Sequence, residues 1–341
     1  MPVNQTLSTF SDLAFQTAFA IYLLALVLSL VYYVKIQGVV DARRDRAHAT
    51  PPARVTVGAG DVPGDLPAGS TGDVAAPLLT DERVAAKETS AHKFGGMTQT
   101  LVWLGAIIHL ISVVLRGLAT DRFPLGNMYE YISMICVLAV ISAAIVIQRR
   151  EWRSVWPWLL VPILVLLFFA GTSLYSNSAP VVPALQSYWL PIHVSTVSLG
   201  AAIGMLSGIA SLLYLLRIWQ PRGKERGFFG AVAKPLPSAK KLDALAYKSA
   251  IITLPVLGLG IVLGAIWAEA AWGRFWGWDP KETASFITWI LYAAYLHARA
   301  TAGWRNHKAA WINILALATM IFNLFFVNLV VSGLHSYAGL N

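Results

Sequence analysis

Apolar residues in this chain come in long runs separated by polar stretches. The runs fall near residues 13–34, 97–117, 128–147, 155–174, 191–216, 249–268, 283–299 and 309–333. Each is close to the about 20 residues that a helix needs to cross the hydrocarbon core of a bilayer. The pattern predicts an all-α polytopic membrane protein with about eight transmembrane helices. Two longer polar segments interrupt it. Residues 36–95 are rich in Ala, Pro, Gly, Asp and Arg and poor in large apolar side chains, a composition that predicts a disordered linker. Residues 217–248 form a basic loop with a short amphipathic helix around 240–248. The chain thus divides into an N-terminal transmembrane anchor (1–35), a linker (36–95) and one helical membrane domain (96–341).

Small residues recur at helix-packing spacing within two runs: Gly200, Gly204 and Gly208 in the fifth, Gly260 and Gly264 in the sixth. Such spacing lets helices approach closely in lipid, and packing accounts for it without any chemistry. Composition agrees with a membrane protein. Only 13% of residues are charged, against about 25% in soluble domains.

The net charge of +9 first suggests nucleic acid, but its distribution argues otherwise. With the N-terminus placed outside and eight spans threaded, 22 of the 26 Lys and Arg fall in loops on one side. Only Arg116, Arg122, Arg274 and Lys281 fall on the other. This is the positive-inside pattern. It makes the basic loops and the linker cytoplasmic and puts both termini and the loop around residues 267–282 outside. The first span lacks a basic leader and a small-residue cleavage site; Asp12 precedes it and Lys35 follows it, so a retained anchor is expected. The one cysteine, Cys136, lies within the third span, which excludes a disulfide framework and reads as packing.

Of seven histidines, His48, His92 and His307 lie in expected cytoplasmic loops. His193, in "YWLPIH", and His335, in "SGLHSYAGL", fall at one depth on the outer side. Alone, each reads first as a polar interfacial residue. Beside a cluster of indoles, the pair also suits a flat aromatic ligand whose metal takes an imidazole on each face, as haem iron does. His109 and His297 lie within spans, where ionisable residues are candidates for function. They differ in depth by roughly 13 Å at 1.5 Å rise per residue, too far to share one iron. A ligand opposite His297 would then come from another polypeptide.

The loop at 267–282 differs from ordinary interfacial tryptophan in density, with Trp267, Trp272, Trp276 and Trp278 followed by Asp279. If it is helical, Trp272 and Trp276 stack on one face, and Gly273 and Gly277 leave room for a ring. Asp279-Pro280 then starts the next helix. No strand repeat surrounds "WD", so a propeller is excluded.

"WAEAAWGRFWGWDPKET", "TWILYAAYLHAR", "GLHSYAG" and "FPLGNMYEY" occur in order along the chain. Together they resemble the haem-handling WWD family of cytochrome c assembly, in its CcsA/ResC branch, over about residues 97–341. The resemblance implies a subunit of a System II cytochrome c synthase in a bacterial plasma membrane. It would carry haem b to the outer face and promote thioether attachment to the CxxCH motif of apocytochrome c. Carried over by position, His193 and His335 match two outer axial ligands and His297 matches a transmembrane haem ligand. Trp267, Trp272, Trp276, Trp278 and Asp279 match the haem platform. The implied partners are a ResB-type membrane subunit, the apocytochrome and a thiol-reducing protein of the outer face. One cysteine cannot take two thioethers, so the chain is not itself a c-type cytochrome. Two other readings remain: a haem exporter that leaves attachment to a partner, and a b-type electron-transfer cytochrome, for which the tryptophan loop has no purpose.

Overall fold

The computed structural model describes residues 3–48, 81–181 and 183–335. These form helices and connecting loops, with no strand among the described residues. In order they are α1 (Gln5–His48), α2 (Asp81–Thr120), α3 (Met128–Val146), α4 (Trp156–Thr172), α5 (Trp189–Trp219), α6 (Gly227–Ala233), α7 (Ala239–Trp272), α8 (Pro280–Ala300) and α9 (His307–Phe322). A turn of π-helix, Asn323–Val327, extends α9.

Seven helices, α1 to α5, α7 and α9, are long and apolar enough to cross a membrane. The difference from the expected eight is α8, which coincides with the run at 283–299 but carries Lys281, Glu282, Thr288, His297 and Arg299. Its buried residues, Thr288, Tyr292, Tyr295 and Ala298, recur at three- and four-residue intervals, so it presents one face to the bundle. Hydropathy alone therefore undercounts it. The helix still runs the length of the bundle. Its 21 residues reach about 31 Å at 1.5 Å each. At one end its cap, Asp279, meets His335 beyond α9; at the other, Arg299 bonds Asp243 near the start of α7.

The segment expected to be a disordered linker is partly helical. α1 continues to His48 and α2 begins at Asp81, while residues 49–80 lie outside the described residues. Charges within this segment pair across the antiparallel α1–α2 hairpin: Arg43 with Glu88 at 2.7 Å, and Arg46 with Asp81. Tyr32, Val39 and Ala91 bury together beside them. Asp81 and Glu82 occupy the first turn of α2, where negative charge favours a helix start. Lower in the hairpin, Ser11 and Ser112 each donate to the other's carbonyl at 2.8 Å. Phe15, Ala18 and Tyr22 of α1 join the main core with Ile132 of α3, Trp156 and Leu160 of α4, and Leu213 of α5.

The glycines do the packing expected of them. A Cβ at Gly200 would lie 3.2 Å from the Leu257 backbone, and one at Gly260 would lie 2.6 Å from Val197, so α5 and α7 touch nearly backbone to backbone. Asn313 of α9 donates to Ser207 and Ser211 of α5 at 2.9 and 2.8 Å, an interhelical polar contact of the kind that holds helices in lipid.

The bundle has two dissimilar ends. Asn4, the 121–127 loop, residues 173–181 and 183–188, the 273–279 loop and His335 gather at one, through bonds such as Asn4 to Ala119 and Arg122 to Ala179. The basic loops gather at the other, tied by Arg44 and Arg217 to Glu225.

Candidate functional site

A cavity of about 930 Å³ opens between α3, α4, α5, α7, α8 and the end of α9. It is predominantly apolar. It runs along α5 from His193 to Leu213, about 30 Å of helix at 1.5 Å per residue. Its polar groups concentrate at the loop end, where His193, Lys281, Glu282 and His335 reach it.

His193 sits in the first turns of α5, where the α5–α7 contact is closest. Its Nδ1 is 2.8 Å from the carbonyl oxygen of Gly260. A carbonyl only accepts, so Nδ1 carries the proton, and the neutral ring keeps its lone pair on Nε2. The ring stacks on Trp267 at 5.9 Å with 12° between planes. Gly264 makes this possible, because a Cβ there would lie 2.6 Å from the imidazole. Packing alone therefore does not describe that glycine.

His335 is placed by α8. Asp279 caps the helix: it accepts from the Lys281 amide at 3.1 Å, and Glu282 returns the contact to complete a capping box. The other edge of the Asp279 carboxylate accepts from the Leu334 amide at 2.7 Å, and its Oδ1 lies 2.7 Å from His335 Nδ1. Burial pushes the Asp279 carboxyl up, but bonds from His335, Leu334 and Lys281 outweigh it and hold the group at about 2. Burial drives His335 below the ordinary histidine value despite Asp279 beside it. The pair at neutral pH is thus carboxylate and neutral imidazole, with Nδ1–H donated and the lone pair on Nε2. A carboxylate behind an imidazole both fixes the tautomer and strengthens it as a metal ligand.

Trp267 packs against both histidines. It is buried in the last turns of α7, with ring centroids 5.9 Å from His193 and 5.8 Å from His335. Trp272 packs edge-on to both Trp267 and His335.

The expected helical stack of Trp272 and Trp276 is not present. α7 stops at Trp272, where Gly273 turns left-handed at φ 69° and donates to Glu269. Such a C-cap suits glycine and ends the helix. Trp276 instead folds over the cavity mouth from the loop, edge-on to Trp278 at 5.7 Å. Trp278 is 66% exposed, does not line the cavity, and holds φ at 58°. Glu282 maintains this loop, accepting from the amides of Gly277 and Asp279 and from Arg274.

Five of the expected residues therefore line one cavity: His193, His335, Trp267, Trp272 and Trp276. Asp279 stands behind His335. His297 is elsewhere, exposed on α8 near the basic end, one turn before Thr301. His109 is fully buried between α1, α2 and α3, with Nε2 at 2.9 Å from Ser133 and its ring edge-on to Phe15 and Tyr22. Sequence reasoning did not single out Tyr131, Glu282 or Asn328. For Glu282 the D-P-x-E spacing of a capping box was the available signal; Tyr131 ends the quoted stretch "FPLGNMYEY" but nothing there gave it a role, and Asn328 has no local signal, since tertiary packing brings both to the cavity.

The family model for "Cytochrome C assembly protein" matches residues 125–335, from the start of α3 to His335. A "Cytochrome c biogenesis protein CcsA" of Synechococcus sp. (strain RCC307) is 34% identical over 71% of this chain and 84% of its own length. The protein of the same name from Guillardia theta is 34% identical over 68% and 82%. Among solved structures, "Cytochrome c Heme Lyase CcmF" superposes over the whole chain with a TM-score of 0.57 at 18% identity, a likeness of fold. The chain spans about half the length of that protein, 49%. On its family match and its relatives, the chain belongs to the cytochrome c assembly protein family, as a multi-pass membrane protein of cytochrome c biogenesis.

Proposed function

We propose that this chain is the haem-presenting subunit of a cytochrome c synthase. It brings haem b to the loop end of the bundle, on the extracytoplasmic side of a bacterial plasma membrane, and promotes its attachment to CxxCH of an apocytochrome. The observation that carries this reading is the pair His193 and His335. Each Nδ1 is committed to an acceptor, and both rings contact the same buried indole at the polar end of an apolar cavity. Among the described residues no group of three or more His, Cys, Asp or Glu could hold a bare metal ion. Two imidazoles suffice only for a metal that brings its own equatorial ligands, and porphyrin iron does.

The chemistry asked of the chain is positional. Thioether formation adds a thiol S–H across each vinyl C=C, with sulfur on one carbon and hydrogen on the other, so no electrons are exchanged with an oxidant. The thiols must arrive reduced, which calls for a thiol-reducing protein on the same side. His193 and His335 fix the macrocycle plane, while Trp267, Trp272 and Trp276 wall it and keep water away. Orientation of this kind is worth several kcal/mol of barrier. The acceptor's own histidine then replaces one axial imidazole as product leaves. His297, exposed at the far end of α8, suits a first haem station completed by a ligand from a ResB-type subunit.

The test is co-expression with a ResB-type partner and a CxxCH reporter in cells without their own assembly system, reading covalent haem on a denaturing gel. Stained reporter with the wild type and none with His335→Ala is the expected result. Equal staining in both rejects the site. Haem bound to the complex with no stained reporter favours the alternative, an exporter whose partner performs attachment.

A further inference from the structure

Four basic residues belong to the loop end: Arg116, Arg122, Arg274 and Lys281. Three have a carboxylate in contact. Arg116 is buried against Glu130 at 3.1 Å and Asp12 at 3.4 Å, and also donates to the Ser176 carbonyl. Arg122 grips both Glu130 oxygens at 2.8 and 3.0 Å and donates to the Ala179 carbonyl. Arg274 pairs with Glu282 at 3.2 Å.

Lys281 differs. Among the described residues it makes no ion pair at contact distance. Its Nζ donates to Asn328 Oδ1 at 2.6 Å and lies 5.4 Å from the ring centre of Tyr131, and it lines the cavity together with both. Asp279 is two residues away but is engaged by His335, Leu334 and the Lys281 amide. Glu282 is engaged by Arg274 and two amides. The Asn328 amide is itself fixed. Its Nδ2 donates to the carbonyls of Asn323 and Leu324, at the π-helical turn, which leaves Oδ1 for the lysine. Irregular turns of this kind commonly occur at functional positions.

A cation held by an amide and an aromatic face, in an apolar cavity, costs free energy unless an anion completes it. We infer that Lys281 Nζ is the carboxylate-binding group of this cavity, oriented by Asn328 and Tyr131. It receives the carboxylate edge of a flat metal macrocycle whose metal is taken by His193 and His335. The inference rests on the haem reading and adds an orientation to it. With the propionate edge at Lys281, the vinyl-bearing edge, on the opposite side of the macrocycle, is turned away from it.

The experiment is absorption titration of the purified full-length protein with ferric haem and with its dimethyl ester, which keeps the iron and the ring but lacks both carboxylates. A charged hydrogen bond of this type corresponds to about tenfold to a hundredfold in affinity. The wild type is expected to prefer the diacid by that factor. Lys281→Met is expected to bind both porphyrins alike, near the wild-type affinity for the ester, and Lys281→Arg to keep the preference. Preference retained in Lys281→Met, or equal loss for both porphyrins, overturns the assignment. Equal wild-type affinity for both overturns it while leaving the haem site standing; wild-type binding of neither removes the haem site as well.

Discussion

The two ends of the bundle solve the same problem differently. Both carry basic side chains, some of them buried, as Arg217 is at one end and Arg116 at the other. At the basic end several cations face a carboxylate, Arg217 and Arg44 with Glu225, Lys234 with Asp41, Lys241 with Glu151 and Arg299 with Asp243, while Lys35 bonds Ser90 and Arg153 bonds the His92 carbonyl. At the loop end, Arg116, Arg122 and Arg274 are paired in the same way, but the groups that reach the cavity are not. His193 donates to a carbonyl, Lys281 donates to an amide, and His335 is backed by Asp279 on the nitrogen away from its lone pair. Polar side chains that line an apolar cavity, with Lys281 facing no carboxylate at contact distance among the described residues, mark where a ligand would bind.

That contrast is sharpest for a buried carboxylate with a purely structural role. Glu130 is 2% exposed and serves both Arg116 and Arg122. Glu130→Ala leaves two guanidinium groups without their shared partner and is expected to cost about 3–5 kcal/mol, read as a lower thermal midpoint in detergent. A midpoint equal to wild type would mean these cations are solvated and that pairing with a carboxylate does not mark structure at the loop end.

The next largest effect belongs to the site. Asp279→Asn preserves size and capping but removes the carboxylate behind His335, so haem affinity is expected to fall about 10–100-fold in an absorption titration. Arg299→Gln, at the opposite end of the same helix, should leave that affinity unchanged. Equal losses would show that α8 acts through stability alone. Gly264→Ala directs a methyl group to 2.6 Å from the His193 ring. It is expected to weaken haem binding several-fold, about 1 kcal/mol, with a smaller effect on the thermal midpoint.

The ends also differ in their response to pH. The carboxyl of Glu225 is held down at about 2; burial opposes the shift, and bonds from Arg44 and Arg217 enforce it. Its folded value is depressed, so its stabilisation is complete above the unfolded value of about 4.3 and is lost as pH falls toward 2. His335 is also depressed, by burial. Its contribution is complete above about 6.5 and declines as pH falls below that. Between pH 8 and 6.5 the Glu225 carboxylate and the folded His335 imidazole keep their charge states, so neither should drive a change in the haem spectrum there. A haem spectrum that titrates with a midpoint above 6.5 would contradict a neutral, carboxylate-backed His335. The smallest effect is expected at Trp278, which is mostly exposed and off the cavity. Trp278→Ala should change stability and haem affinity by no more than about 0.5 kcal/mol.

Much of this was legible in the sequence. Apolar run lengths give the helices, because a span must be about 20 residues and must satisfy its own backbone. The D-P-x-E cap of α8 reads directly, since a cap is local. His193 and His335 could be placed at one depth because helix rise is fixed. What failed was either local geometry or pairing at a distance. Extrapolating a helix through Gly273 put Trp276 beside Trp272, whereas a glycine free to turn left-handed ends α7 there. The ordered ends of the α1–α2 hairpin escaped notice because Arg43 and Glu88 are far apart in sequence. Tyr131 and Asn328 escaped for the same reason. They lie on α3 and just beyond the end of α9, and only the packing of α3, α8 and α9 brings them to Lys281.

The most direct test of the central claim is the optical and paramagnetic spectrum of haem bound to the purified protein in a His297→Ala background, where the outer site alone reports. Ligation by His193 and His335 predicts six-coordinate, low-spin iron. Either single change, His193→Gly or His335→Gly, should then convert it to a high-spin form that free imidazole restores. A low-spin spectrum that persists unchanged in both variants would mean that these two histidines do not hold the iron.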